Sequence, residues 1–300
     1  MAPNTSPQPA LSWTIVGQGA IGLLAACRLS LAGNAVSLRL KTPNIINIDF
    51  TEQQFSYPPA IAPLNAVLVP VKSYAILDAI KGLLPHLSPD AQLVLSHNGM
   101  GTIAQVKPLL LPTQGLWFLT TTHGALKQHH NLFHTGRGQS VIAPLNSVAI
   151  AYSEAVTQAM DIALGPITLT DNISPYLWQK LAINAVINPL TAIYDCQNGQ
   201  LSAAEYRSQI AEILAEVCQL ATLMGISLVY EDTLAKVQQV IIQTAKNYSS
   251  MHQDVKHQRR TEIAAINGFV VEQAARFQLA VPQNAVLLQR VIQLEQAYGR

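Results

Sequence analysis

The spacing of apolar positions changes along this chain, and the change divides it into two parts. The first part contains short, β-prone runs of the kind that form buried strands. These runs lie at residues 11–16, 35–42, 66–71, 92–96 and 116–122. Segments with helical spacing lie between them, for example over residues 75–84. Strands that alternate with helices predict a parallel, doubly wound α/β sheet.

Two stretches of the first part depart from this alternation. Residues 55–59 contain two prolines and are predicted as a loop or an edge segment. Between residues 123 and 145, glycines interrupt polar and β-prone stretches, which predicts antiparallel hairpins. A helix over 153–164 and a short strand over 167–169 are expected to close this part of the chain.

From about residue 173 onward the helical period dominates and strand signals are few. Prolines at 166 and 175 and the pair Asp171-Asn172 mark the boundary. The helices are predicted over residues 177–194, 203–224, 231–248, 252–277 and 283–297. The second part is therefore expected to be mostly α-helical.

A glycine-rich turn follows the first predicted strand and opens the first predicted helix. It consists of Gly17, Gln18, Gly19, Ala20, Ile21 and Gly22. In such a turn the first glycine permits the tight bend, the second lets backbone N–H groups approach a pyrophosphate, and the third lets helix and strand pack closely. The positive end of the helix then faces the phosphates. The turn predicts a dinucleotide site; a structural strand-turn-helix without a ligand is the alternative.

The second predicted strand favours NADP over NAD. An NAD site usually has Asp or Glu about 20 residues after the glycines, on the ribose 2′-hydroxyl, but the first acidic residue of this chain is Asp49. Arg39 and Lys41 lie two residues apart, which would place both on one strand face. We expect Lys41, followed by Arg39, to contact the 2′-phosphate of NADP(H). The alternative is that both are solvated charges at a strand end.

These observations predict a two-domain α/β protein. Residues 11–172 are expected to form a Rossmann-type NADP-binding domain with a doubly wound sheet, and residues 173–300 a helical substrate and catalytic domain. Residues 1–10, which carry three prolines and no basic residue, are expected to be a short disordered tail.

Composition narrows the classes of protein that remain. The chain has 300 residues, of which 49% are hydrophobic and 12% charged, and its formal net charge is +1. These values indicate a compact globular protein and argue against a nucleic-acid surface. No apolar run is long enough to span a bilayer. The three widely spaced cysteines fit a reducing compartment, so we expect a cytoplasmic protein. Its oligomeric state stays open between a monomer and a homodimer. Histidines 129, 130 and 134 lack the spacing of a helical zinc pair, and no metal is expected.

One polar stripe on an apolar predicted helix carries candidate chemistry. Lys180, Asn184 and Asn188 are spaced by four residues and therefore share one helix face. Buried polar groups are costly unless they are paired or used. Lys180 can act as a general acid, because burial would bias its ammonium group toward proton release. The alternative is that Lys180 pairs with a carboxylate and the asparagines bridge helices.

A second polar constellation lies within the predicted helix over 252–277 and just before it. Ser250 and Gln253 have the spacing of a capping box. Three further polar side chains step by four residues along one expected face, at Asp254, Gln258 and Glu262. Glu262 could orient Lys180 or accept a hydrogen bond from a substrate hydroxyl. A surface ion pair between Glu262 and Arg259 is the competing explanation.

Together these segments resemble the ketopantoate reductase (2-dehydropantoate 2-reductase) family over nearly the whole chain after residue 10. The resemblance rests on six segments that occur in the family's order and at compatible spacings. They are residues 17–22, 71–74, 97–101, Lys180 with Asn184 and 188–192, 249–251 with Asp254, and 261–263 with 266–268. The resemblance implies an NADPH-dependent reduction of 2-dehydropantoate to pantoate in pantothenate biosynthesis.

The resemblance also implies a role for each matching residue. Lys180 matches the proton donor to the forming hydroxyl, and Glu262 matches a glutamate that contacts the substrate hydroxyl. The expected substrate contacts are Asn184, Asn188, Asn98 and, for the carboxylate, Ser250. Asn98 and Lys72 match positions at the cofactor and the active-site cleft, and Lys41 falls where the family commonly has an arginine for the 2′-phosphate.

Two alternatives stay open on sequence grounds. A different NADP-dependent 2-oxo- or 3-hydroxy-acid dehydrogenase could use the same combination of lysine and asparagine. A non-catalytic NADP-sensing protein would bind the cofactor without turnover and would not need Lys180 and Glu262 together.

Overall fold

The computed structural model describes residues 11–298, so the predicted tail over 1–10 lies outside the described residues. The chain forms two compact units. The first contains the described residues up to His97 together with Thr102–Ile173, and the second contains Asn98–Gly101 and the residues from Ser174 onward. The sequence places residues 98–101 in the N-terminal domain. The structure groups them with the helical unit, because the Met100 N–H donates to the Ala265 carbonyl at 3.0 Å.

The strands of the first unit alternate with helices as the sequence predicts, except between Val36 and Val69 and between Gly115 and Pro144, where strands follow one another directly. They are β1 (Trp13–Val16), β2 (Val36–Arg39), β3 (Ile46–Phe50), β4 (Gln53–Tyr57), β5 (Leu64–Val69), β6 (Leu87–Leu95), β7 (Gly115–Thr121), β8 (Gly124–Gln128), β9 (Asn131–Gly136), β10 (Ser140–Pro144) and β11 (Ile167–Leu169). Within the described residues, the main sheet has seven strands in the order β11-β10-β7-β6-β5-β1-β2. Only β10 pairs antiparallel to its neighbour, β7, so the prediction of a parallel-rich α/β sheet is confirmed.

A smaller four-stranded sheet has the order β4-β3-β9-β8. The strands β8 and β9 form the antiparallel hairpin predicted within residues 123–145. The expectation of a loop or edge segment at residues 55–59 is confirmed as an edge strand, because β4 lies at the edge of this sheet, pairs with β3 along its whole length and ends at Tyr57. Thr51 and Glu52 make the turn between these strands with positive φ angles. A pairing partner supplied by the fold thus decides the conformation of this polar segment.

The helices of the first unit cover the faces of the main sheet's strands. They are α1 (Ala20–Leu31), α2 (Ile76–Leu83), α3 (Thr102–Val106), α4 (Ser147–Ala151) and α5 (Ser153–Leu164), with 3-10 turns at Ser73–Ala75, Leu84–His86 and Lys107–Leu109. Leu23, Leu24 and Cys27 of α1 are fully buried in one apolar core with Trp13 and Trp117. This core fixes the start of α1 against β1, which is where the glycine turn lies.

The second unit is helical, and α6 runs through its core. The helices are α6 (Ser174–Tyr194), α7 (Arg207–Leu223), α8 (Tyr230–Gln243), α9 (Ser250–Lys256), α10 (Asn267–Arg276) and α11 (Pro282–Gln296), with 3-10 turns at Asn198–Ser202, Ala204–Tyr206 and Ile263–Ala265. The apolar side chains of α6 pack in a cluster with those of α7, α8, α10 and α11. The helix continues through Pro189 to Tyr194. No described helix is long and apolar enough to cross a membrane.

The single helix predicted over residues 252–277 is wrong. The chain leaves α9 after Lys256, passes through Gln258 at a φ of +52°, and resumes helical structure at Ile263. Glu262 is the residue that caps the 3-10 turn Ile263–Ala265. Asp254 and Glu262 therefore do not share a helix face, and four-residue spacing alone was insufficient to place them.

A buried polar network joins four helices of the second unit. The Asn284 side chain is fully buried; it donates to Glu216 Oε2 at 2.7 Å and accepts from Asn267 Nδ2 at 2.9 Å. The Asn267 amide also donates to the Ala185 carbonyl of α6 at 3.0 Å. The backbone N–H of Asn284 donates to the same Glu216 carboxylate. Because every bond in this network is withdrawn from water, it fixes how α6, α7, α10 and α11 pack.

Replacement of Asn284 by alanine should destabilise the protein by about 3 kcal/mol, because it leaves the buried Glu216 carboxylate short of a donor and Asn267 short of an acceptor. Urea unfolding followed by far-ultraviolet circular dichroism measures the loss. Gln239→Ala on the exposed face of α8 is the matched control and should change stability little. Equal stability of the two variants would show that the network contributes nothing net.

Candidate active site

The glycine turn has the geometry that a dinucleotide phosphate requires. Gly17 has a φ of +84°, a conformation that favours glycine. A Cβ atom at Gly22 would lie 2.7 Å from Cγ of Pro70 and 3.1 Å from Cγ2 of Ile15, so only glycine lets α1 pack this closely. The helix begins directly after Gly19, and no side chain makes a capping hydrogen bond there. The first N–H groups of α1 are therefore available to an anion, and the residues present fit a pyrophosphate.

The end of β2 is tied directly to this turn. The Gly17 N–H donates to the Arg39 carbonyl at 2.9 Å. Arg39 is the last residue of β2, and Lys41 lies two residues beyond it and is exposed. The expectation that both share one strand face needs correction, because the strand ends before Lys41. Both cations nevertheless lie at the carboxyl end of β2, where an open α/β sheet binds its ligand.

A further cation beside the turn was missed by the sequence reasoning. Lys127 of β8 donates from Nζ to Oε1 of Gln18 at 2.9 Å. Burial lowers the pKa of Lys127. The two residues are separated by 109 positions, so only the pairing of β8 into the small sheet could reveal the contact. Lys72 lies where the sequence places it, just after β5 and at the start of the 3-10 turn Ser73–Ala75.

The second unit brings Asn98 and Glu262 together. The Asn98 side-chain amide donates to Glu262 Oε2 at 3.1 Å, and the Glu262 side chain is buried. Gly99 makes this approach possible, because its φ is +83° and a Cβ atom there would lie 2.5 Å from Cβ of Ala265. A short loop and a 3-10 turn thus hold a carboxylate and an amide in contact.

Lys180, on α6, is the third member of the group formed with Asn98 and Glu262, because it interacts with the charge of Glu262. Burial lowers the pKa of Lys180 to about 8, while the negative charge of Glu262 acts in the opposite direction. Asn184, one turn later, is half-buried, and Asn188 is buried. A lysine with this pKa is a proton donor suited to neutral pH, because it is largely charged yet releases its proton more readily than an exposed lysine.

The structure argues against a surface ion pair between Glu262 and Arg259, which was the competing explanation for this carboxylate. The Arg259 guanidinium lies 3.3 Å from the Asp254 carboxylate, and this carboxylate is itself buried. Glu262 is buried beside Asn98 and interacts with the charge of Lys180. The partner proposed for a surface ion pair with Glu262 is therefore engaged with another carboxylate.

The predicted cap of α9 needs correction by one residue. Ser249, not Ser250, is the N-cap, and its Oγ accepts from the His252 N–H at 3.0 Å. The Thr191 hydroxyl of α6 donates to the same oxygen at 2.7 Å, so it ties α9 to α6. Ser250 is the first helical residue and is exposed. Its hydroxyl is not the one that caps the helix.

Comparison with known proteins identifies the family. The family description "Ketopantoate reductase PanE/ApbA" matches residues 13–147, and "Ketopantoate reductase PanE/ApbA C terminal" matches residues 172–295. The chain belongs to the ketopantoate reductase family. A 2-dehydropantoate 2-reductase of Vibrio cholerae serotype O1 is 39% identical over 95% of this chain and 98% of that protein. One of Escherichia coli O157:H7 is 35% identical over 96% of each. Family membership confirms the prediction of an oxidoreductase that acts on CH–OH groups.

Solved structures show the same fold. A PanE/ApbA family ketopantoate reductase from Ralstonia eutropha JMP134 superposes with a TM-score of 0.84 at 23% identity, covering 95% of this chain and 99% of that one. A D-mandelate dehydrogenase solved with NADH and anilino(oxo)acetate superposes with a TM-score of 0.85 at 20% identity, over 96% and 99% of the two chains. At these identities both likenesses concern the fold alone. In the described residues no cluster of His, Cys, Asp and Glu side chains could hold a metal ion.

Replacement of Glu262 by glutamine should lower the pKa of Lys180 below about 8, because it removes the negative charge that favours the ammonium form. The pH dependence of Lys180 acetylation, measured by peptide mass spectrometry, reports this pKa. Glu272→Gln, at an exposed position of α10, is the matched control, because Glu272 is a carboxylate paired with a different cation, Arg276. An unchanged acetylation profile in Glu262→Gln would contradict electrostatic coupling between the two groups.

Proposed function

We propose that this protein reduces 2-dehydropantoate to pantoate with NADPH, a step of pantothenate biosynthesis. The observation that carries the proposal is the group of Lys180, Glu262 and Asn98, in which a lysine of lowered pKa faces the charge of a buried carboxylate. It occurs in a chain whose curated relatives are 2-dehydropantoate 2-reductases.

The choice of NADPH rests on the end of β2. Arg39 and Lys41 lie beside the glycine turn, and no acidic residue precedes Asp49 to accept from a ribose 2′-hydroxyl. A 2′-phosphate at this position would be neutralised by the two cations. The D-mandelate dehydrogenase with a similar fold was solved with NADH, so the fold itself does not set the preference.

Lys180 is the proposed proton donor. A bound reduced nicotinamide would supply the hydride to the C2 ketone carbon. Negative charge then develops on the ketone oxygen, and Lys180 Nζ stabilises this charge and transfers its proton to the oxygen. The buried Glu262 carboxylate keeps the lysine charged until that transfer, because it opposes the effect of burial on the lysine pKa.

The remaining polar groups are proposed to orient the substrate. Glu262 and Asn98 would bind the substrate hydroxyl, because a carboxylate accepts a hydrogen bond and an amide does both. Asn184 and Asn188 lie on the same face of α6 as Lys180 and would hold the oxo-acid group. Ser250, exposed in the first turn of α9, would donate to the substrate carboxylate, near the positive end of the helix.

Replacement of Lys180 by methionine should reduce kcat by about 100-fold or more and leave NADPH affinity unchanged, because the residue acts on the ketone oxygen and not on the cofactor. In the unmodified enzyme, ketopantoate reduction should slow as the pH rises through about 8, since the lysine then loses its proton. Loss of reduced-nicotinamide absorbance measures turnover, and cofactor fluorescence measures binding. Lys236→Met on exposed α8 is the control.

Full activity of Lys180→Met would refute the catalytic assignment. Tight NADPH binding without any turnover in the unmodified protein would instead indicate a cofactor sensor. Reduction of 3,3-dimethyl-2-oxobutanoate, which lacks the substrate hydroxyl, as efficiently as ketopantoate would indicate a broader 2-oxo-acid dehydrogenase.

Replacement of Lys41 by alanine should lower kcat/KM for NADPH by about tenfold and leave that for NADH unchanged, because only NADPH carries the 2′-phosphate. Steady-state assays with both cofactors measure the ratio. Lys81→Ala on exposed α2 is the matched control. An equal loss with both cofactors would show that Lys41 does not read the 2′-phosphate.

A further inference from the structure

A cleft lies within the first unit, and no residue of the glycine turn lines it. Its volume is about 750 Å³. The last turn of α1, the strand β9, the β9–β10 loop and the Gly165-Pro166 pair form its walls. Neither the proposed cofactor residues nor the proposed catalytic residues contribute to it. The cleft is therefore a separate cavity with its own chemistry.

Two arginines line this cleft. Arg28 lies half-buried in the last turn of α1, and Arg137 is exposed in the β9–β10 loop. No ion pair formed by the described residues uses either guanidinium. Two carboxylates on neighbouring elements have donors of their own, since Asp49 accepts from Gln54 and Asp161 accepts from the Ile167 N–H. Neither of these, nor Glu52 in the β3–β4 turn, lines the cleft.

A histidine pair adds a third potential charge. His123 Nδ1 accepts from the Gly138 N–H at 3.1 Å, so the proton of its neutral ring is on Nε2, which donates to the Leu164 carbonyl. His134 Nε2 lies 2.9 Å from the same Nδ1 and must therefore be the donor. His123 is thus held neutral. His134 retains this bond when its own Nδ1 is protonated, so His134 is the member of the pair that can gain a charge.

The cleft also has an apolar wall beside the cations. Phe133 of β9 and Leu31 of α1 are large side chains with 48% and 46% of their surface exposed. Phe50 lies at the same cleft and is buried. Exposed aromatic and aliphatic surface next to guanidinium groups is suited to a ligand that is anionic at one end and apolar at the other.

We propose that this cleft binds a small phosphomonoester that carries an aromatic or apolar group. The Arg28 and Arg137 guanidinium groups hold the phosphate, for which two forks of N–H donors are suited. The apolar part packs on Phe133 and Leu31. His134 adds a third donor in its protonated form.

The affinity should depend on pH. Burial and the positive charges of Arg28 and Arg137 lower the pKa of His134, so its ring is neutral at neutral pH in the free protein. A bound dianion reverses this balance and raises that pKa. Binding therefore takes up a proton, and affinity increases as the pH falls.

Isothermal titration calorimetry with phenyl phosphate tests the proposal on the full chain with the cofactor site saturated by NADPH. We expect saturable binding that is stronger at about pH 7 than at about pH 8.5, a range in which the phosphate stays mainly a dianion. Inorganic phosphate should bind more weakly, and phenol should not bind measurably. Absence of phenyl phosphate binding, or equal binding of phenol, would overturn the proposal.

Variants of the cleft locate the binding. Arg28→Gln and Arg137→Gln should each weaken phenyl phosphate binding by about tenfold, because each removes a charge-assisted contact. Arg207→Gln, an exposed change on α7 of the other unit, is the matched control and should leave it unchanged. His134→Gln should abolish the increase in affinity toward lower pH and leave only the effect of the ligand phosphate's own second pKa of about 6. Equal affinity of the cleft variants and the control would place the binding elsewhere and overturn the proposal.

Discussion

The helical unit depends on holding a half-buried lysine, Lys180, near the buried carboxylate of Glu262. A buried charge is tolerated only with a partner and fixed hydrogen bonds. The two groups come from different elements, the middle of α6 and a cap residue of a 3-10 turn. Each of these elements must therefore be held in place by its own contacts. Many of the hydrogen bonds within this unit serve that purpose.

Three contacts provide this positioning. Gly99 lies against Ala265, so the loop that carries Asn98 contacts the turn that carries Glu262. Thr191 of α6 donates to Ser249 at the start of α9. Asn267, directly after the 3-10 turn, donates to the α6 carbonyl of Ala185. These bonds fix the carboxylate relative to the lysine through the backbone, so that the charge of Glu262 opposes the burial of Lys180 and sets its pKa near 8.

The first unit gathers positive groups at two places. One place is the glycine turn, where the Gly17 N–H donates to the Arg39 carbonyl. Its positive groups are the backbone N–H groups at the start of α1 and the two cations at the end of β2. At another place, around the end of α1, Arg28, Arg137 and the histidine pair line a cleft of their own. In both places the positive groups come from segments far apart in sequence, and the small sheet supplies Lys127 at the first place and His134 at the second.

The sequence alone determined the α/β class, the glycine turn, the polar stripe of α6 and the family, because periodicity and short motifs are local properties. Tertiary structure decided which residues meet. The contact of Lys127 with Gln18 joins residues 109 positions apart, and residues 53–57 form a strand because β3 pairs with them. The break between α9 and α10 puts Glu262 in a turn, where a uniform four-residue spacing predicted a helix face. The backbone turns at Gln258, so the helical period does not continue to Glu262. Hydrogen bonds from distant segments, such as the one from Asn98, then fix the position of the Glu262 carboxylate.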